Sequence, residues 1–388
     1  MRRVYLDHAA TTPLAPAVLE AMTPHMTEQY GNASSVHRLG RQARVTLEEA
    51  RERVGACLGA EPGEIVFTSG GTEADNLALK GVLAAAGAEA GLVTSAAEHE
   101  AVLRPAERLR DHGHPVTILS PGARGAVTPA QVEAALTDRT ALVSLMHTNN
   151  EIGVQTDIPA VAEVCHEHDV LLHCDAVQAA GLYALHVDDL GVDLLSLSGH
   201  KFYGPKGVGV LFVRAGVDLG PLLEGGSQER ERRGGTENVP GIVGLAEALE
   251  RAVAEAEEQR VHLADLQRRL VEGLDAAVPC PHVLNTPVDE ASVAPHVVNV
   301  AFPPVDGEAV DGEMLILNLD MSGVLVSAGS ACTSGALEPS HVLRTLELDR
   351  DTASAAVRFS MGTGTTADDI DYALDQLQST LERMTDGG

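Results

Sequence analysis

Short, continuously apolar runs alternate with longer stretches of helical spacing through the first two-thirds of the chain. Residues 65–68, 91–94, 116–119, 141–146, 170–174, 194–197 and 208–213 read as strands, with helical patterns at 37–58 and 158–168 between some of them. Apolar strands separated by helices predict an α/β unit whose mostly parallel sheet is covered on both faces. In such sheets ligands bind just beyond the carboxyl ends of the strands. After Pro240 the pattern changes. Ile242, Leu245, Leu249, Val253, Leu263, Leu266, Leu270 and Leu274 recur at three- and four-residue spacing up to Pro279, which predicts one long amphipathic helix. The remainder mixes strands and helices. We read residues 13–250 as a large domain, and 1–12 with 251–388 as a smaller α+β domain.

Composition narrows the function classes. The chain has 388 residues, 44% hydrophobic and 21% charged, as in ordinary globular proteins. Its 27 basic and 56 acidic side chains give a formal charge of −29, which argues against unassisted binding to nucleic acid or an anionic membrane. No apolar run approaches the roughly 18 residues of a membrane span, and residues 1–13 lack the apolar core of a secretory signal, so a cytoplasmic location is expected. Five scattered cysteines do not form a disulfide framework. Lysine occurs only at Lys80, Lys201 and Lys206, against 24 arginines. A lysine kept in such a chain can serve chemistry that arginine cannot, because only the lysine amine can shed its proton. Lys80 and Lys206 read as solvated.

Five segments carry candidate chemistry, each with a plainer alternative. Phe67-Thr68-Ser69-Gly70-Gly71-Thr72 follows a strand and opens a helix. Its glycines, first-turn N–H groups and Thr72 hydroxyl make an anion site, or simply a capped turn. Asp175 ends an apolar strand, where a buried carboxylate needs a cationic partner such as a protonated ring nitrogen, or acts as a helix cap. Lys201 in Ser198-Gly199-His200-Lys201 is a Schiff-base candidate beside phosphate-binding Ser198 and His200, or a loop lysine. Cys332 lies among small residues, open to thiolate chemistry or inert. Arg358, in an apolar strand, grips a substrate carboxylate or forms a structural ion pair. Cys165, His166, His168, His173 and Cys174 are dense enough to suggest zinc, but neighbours on a strand point to opposite faces. We expect no resident metal.

Taken in order, Tyr5-Leu6-Asp7-His8-Ala9-Ala10-Thr11-Thr12, Thr68-Ser69-Gly70-Gly71-Thr72-Glu73, His147-Thr148-Asn149-Asn150-Glu151, Ser198-Gly199-His200-Lys201, Arg233-Gly234-Gly235-Thr236-Glu237-Asn238 and Gly329-Ser330-Ala331-Cys332-Thr333-Ser334 resemble the pyridoxal-phosphate-dependent cysteine desulfurases of the NifS/IscS type. The resemblance implies the class V aminotransferase fold and a homodimer. It implies Lys201 as the Schiff-base lysine, Asp175 on the ring nitrogen and Gln178 on the ring's phenolic oxygen. His99 would stack on the ring and assist proton transfer. Gly71, Thr72, Ser198 and His200 would hold the phosphate, with Thr236 reaching the partner subunit's phosphate. Asn150 and Arg358 would face L-cysteine, Arg358 on its carboxylate. Cys332, on a mobile loop at 326–338, would take the sulfur as a persulfide and pass it to an acceptor protein such as an iron–sulfur scaffold or a tRNA-thiolation relay. A transient iron–sulfur contact there is the one metal contact implied. Selenocysteine lyase, another class V aminotransferase or a non-catalytic sulfur relay are the alternatives. Ala33, Ala328 and a tandem Val-Asp-Gly-Glu at 305–308 and 310–313 depart from the family pattern.

Overall fold

The computed structural model describes residues 2–278, 280–288, 292–328 and 339–385. Seven strands form the main sheet: β1 (Ile65–Thr68), β2 (Gly91–Ser95), β3 (Val116–Leu119), β4 (Thr140–Met146), β5 (Leu171–Asp175), β6 (Leu194–Ser198) and β7 (Gly209–Val213). Their spatial order is β1-β7-β6-β5-β4-β2-β3. Every neighbouring pair is parallel except those made by β7, which runs antiparallel to both β1 and β6. Most of these strands are buried along their length, as expected of a sheet with helices on both faces. The β1, β4, β5 and β6 carboxyl ends converge on one region, and the candidate residues lie there.

The long helix runs Val239–Ala277, with Pro240 in its first turn and the Asn238 side chain accepting from Gly241 N. Its first half, with Ile242, Leu245 and Leu249, packs into the core of the main sheet. Its second half, with Leu263, Leu266, Leu270 and Leu274, packs into a separate core. Val253, on the predicted stripe, is 41% exposed because it falls between the two. The second core covers an antiparallel sheet in which Val297–Ala301 lies between Val283–Leu284 and Ala356–Ser360.

The N-terminal strand Val4–Tyr5 pairs with Val324–Leu325 and buries Val4 and Leu6 in this second core. Beyond it the chain crosses to the main sheet. His8 N bonds Ser360 O, and Thr12 N bonds His200 O. Residues 7–12 therefore bridge the two cores directly over the β6 end.

Candidate active site

The anion end is built where β1 turns into the helix Gly71–Ala86. The helix cap is Gly70, which has no side chain to satisfy the first-turn N–H groups, so these stay available to a ligand. Gly70 has φ +153°, a conformation that L side chains rarely adopt. A Cβ on Gly71 would stand 2.8 Å from Val177 Cγ2 and 3.4 Å from Ser198 Cβ, so this glycine keeps the cradle open. Glu73, in the first turn, would repel an anion if left unpaired. Instead Arg233 Nε binds its Oε1 at 2.8 Å and Ser69 N donates to Oε2, and these contacts pull its pKa down despite burial. Across the cradle, His200 Nδ1 lies 3.1 Å from Thr11 Oγ1, and burial brings the ring down to about 4.

Asp175 ends β5 with its side chain buried, and Val177 N donates to its Oδ1 at 3.0 Å. Burial raises its pKa, while the Val177 N–H, His99 and Lys201 draw it back. Gln178, on the following turn, donates to Ala9 O at 2.8 Å.

Lys201 closes the short turn Gly199–Lys201 that follows β6. Its Nζ donates to Ala9 O and, at 3.0 Å, to Ala10 O. Desolvation, helped by the Arg358 charge, lowers the amine to about 8. Two neutral carbonyls thus hold the amine without fixing its proton as a carboxylate would. Facing it, Arg358 donates to Asn150 O at 3.0 Å and to Asp7 Oδ1 at 2.7 Å. His99 caps the helix Glu100–Asp111, its Nδ1 accepting from Ala101 N at 3.1 Å. That bond leaves Nε2 as the protonated nitrogen of the neutral ring. Desolvation is the main cause that lowers its pKa, and Lys201 adds to it.

Ten of the residues singled out in the sequence line one cavity of about 720 Å³: Gly71, Thr72, His99, Asn150, Asp175, Gln178, Ser198, His200, Lys201 and Arg358. Thr236 is exposed and lies outside that lining. Cys332 lies outside the described residues. Of the two lysines expected in solvent, only Lys80 departs from that reading. Lys206 is exposed but stands at the cavity wall, and Lys80 is half-buried, bonded to Asn76 Oδ1. Within the histidine and cysteine cluster, His173 hydrogen bonds Ser144 and Ser196 while Cys174 packs fully buried in the main core. Sequence reasoning missed Asp7 and Asp75, both in the cavity wall. Asp75 left a signal: with Gly71, Ala78 and Val82 it falls on the buried face of its helix.

An anion cradle, a buried carboxylate and a low-pKa amine in one cavity fit the phosphate, ring nitrogen and aldehyde of pyridoxal phosphate, which is the cofactor. The open Gly70–Gly71 cradle is the observation that admits the phosphate.

The class-V aminotransferase family model matches residues 4–373. The cysteine desulfurase IscS of Dictyoglomus turgidum is 44% identical over 384 residues, covering 99% of this chain and 95% of that relative. A solved structure described as a NifS-like protein superposes with a TM-score of 0.90 at 37% identity, covering 98% of this chain and 100% of the other. Another, described as SspA in complex with cysteine, gives a TM-score of 0.81 at 35% identity over 92% of this chain and 98% of its own. With the family model spanning almost its whole length and relatives this similar end to end, the chain belongs to the class-V aminotransferases, among the cysteine desulfurases.

Proposed function

We propose that the protein converts L-cysteine to L-alanine and moves the sulfur through Cys332 to an acceptor protein. The observation that carries this reading is Lys201, a buried amine at about 8 in one cavity with Asp175 and an anion cradle. Lys201 holds the aldehyde carbon of the cofactor, Asp175 its ring nitrogen, Gln178 its phenolic oxygen, and Gly71, Thr72, Ser198 and His200 its phosphate. When bound, pyridoxal phosphate supplies an electron sink for the pair left on Cα when the substrate loses its α-proton.

The chain's own groups do the rest. Arg358, already pinned by Asp7, takes the substrate carboxylate with Asn150 beside it. Lys201 and His99 carry protons: the Lys201 amine is lowered to about 8, into the working range, and burial keeps the His99 ring neutral and able to accept one. The Cys332 thiolate attacks the substrate sulfur. A sulfur–sulfur bond forms as the carbon–sulfur bond breaks, so cysteine and one enzyme thiol become alanine and one persulfide, with no outside oxidant or reductant.

The protein works as a homodimer in which Thr236 reaches the phosphate in the second copy's cavity, in keeping with its exposure away from its own. The acceptor presents a basic docking face to this −29 chain. The assignment of residues 13–250 to a cofactor domain, and of 1–12 with 251–388 to a smaller one, belongs to the same proposal, as does a cytoplasmic location. No helix among the described residues is long and apolar enough to cross a membrane.

Mass spectrometry of cysteine-treated protein tests the reading. One added sulfur atom on Cys332, and no sulfide release by C332A, is the expected result. Normal turnover by C332A refutes the sulfur path.

A further inference from the structure

Asp75 and Asp175 line the cofactor cavity, and Glu98 is buried and bonded to Met146 of the same lining. Asp75, Glu98 and Asp175 are 1%, 1% and 6% exposed. Glu98 Oε1 accepts from Met146 N at 3.0 Å, and its Oε2 has no hydrogen-bond partner among the described residues. Asp75 lines the cavity together with Asp175, and its Oδ1 likewise has no hydrogen-bond partner among them.

Beside Asp75 a chain of hydrogen bonds crosses three strands. Ser144 Oγ on β4 lies 2.8 Å from His173 Nδ1 on β5, and His173 Nε2 lies 2.9 Å from Ser196 Oγ on β6. Ser196 favours the ionised form of Asp75. Burial brings His173 down to about 3, so its ring is neutral.

Three negative charges are disfavoured here, because burial and the neighbouring carboxylates each raise the pKa values of Asp75 and Glu98. The basic groups that face the cluster, Lys201 and His99, act on Asp175. Among the described residues the charges that act on Asp75 are Asp175 and Glu98, both raising its pKa, and the one acting on Glu98 is Asp175. His173 Nε2 stands 3.7 Å from Asp75 Oδ1 but is neutral.

We propose that Asp75 is a positioning residue that stays a neutral carboxylic acid and so leaves the single negative charge of the cluster on Asp175. This rests on the reading that Asp175 holds the ring nitrogen, a task that needs the anion.

The test uses the full-length protein freed of cofactor. The infrared difference between wild type and D75N at pH 7 should contain the carbonyl stretch of a protonated carboxyl; carboxylate bands in its place overturn the proposal. Followed against pH, that band should lose at least tenfold in proton affinity in a D175N background, and an unmoved midpoint overturns the coupling. S196A removes a group that favours ionised Asp75 and should move the midpoint up. Thermal unfolding gives a second readout. A carboxyl protonated in the fold and ionised in the unfolded chain costs stability increasingly as pH rises. D75N should therefore gain on wild type between pH 5 and pH 8, and a pH-independent gap contradicts a neutral Asp75. Were Asp175 not the ring-nitrogen partner, D175N would bind pyridoxal phosphate with an unchanged spectrum while these cofactor-free results still held.

Discussion

The Arg358 guanidinium and the Asp7 carboxylate lie 2.7 Å apart, joining the strand Ala356–Ser360 to the N-terminal segment at the cavity wall. Arg358 is nearly buried, and its second contact is the Asn150 carbonyl. The pair fixes where the positive charge points before any substrate carboxylate arrives. A charge-assisted bond of this kind contributes about 1.5–3 kcal/mol. We predict that D7N raises KM for L-cysteine about tenfold with a smaller change in kcat, and that R358A lowers kcat/KM by about a hundredfold or more. Steady-state kinetics across cysteine concentrations decides; an unchanged KM in D7N would mean that Asp7 does not orient Arg358.

The Lys201 amine titrates near 8 because burial and Arg358 disfavour its charge. A neutral amine is the form that adds to an aldehyde. Capture of pyridoxal phosphate by cofactor-free protein should therefore accelerate as pH rises through about 8 and level off above it. A midpoint near the ordinary lysine value, followed by stopped-flow absorbance, would contradict the buried placement.

His99 gives the opposite limb. Its lowered pKa keeps the ring neutral below the usual imidazole range, so loss of activity from its protonation falls on the acid side of about pH 6.5. The acid limb of the kcat profile should disappear in H99Q along with most of the rate. A profile of H99Q that keeps the same limb assigns that proton to another group.

Much of this arrangement was legible in the sequence, for physical reasons that differ from residue to residue. The β1–β7 strands fell within a residue or so of their predicted ends because continuous apolar runs bounded by polar turns leave little freedom of register. The antiparallel direction of β7 was not legible, since a buried strand is apolar whichever way it runs. Lys201 stood out through the scarcity of lysine and its place after a strand. Asp75 did not, being one of 56 acids, and only its position on the buried face of a helix marked it. Asp7 sits in a segment with no periodicity, and only the fold brings it to Arg358.

The turn at 229–231 carries a stability prediction. Glu229, Arg230 and Glu231 all have positive φ, at 45°, 56° and 67°, which is costly for residues with side chains. Arg51 holds the turn through two bonds to Glu229, at 2.8 and 2.9 Å, and Phe67 N donates to the same carboxylate. Both partners are buried. Removing one leaves an uncompensated buried charge, so E229A should destabilise the protein by about 3–5 kcal/mol in denaturant unfolding. A loss below about 1 kcal/mol would place the pair among the weak surface bridges.

The account depends most on covalent capture of the cofactor at one amine, and the three lysines make that simple to read. Protein saturated with pyridoxal phosphate, reduced with borohydride and digested, should carry the pyridoxyl group on Lys201. Label on Lys80 or Lys206 alone, or none at all, would contradict it.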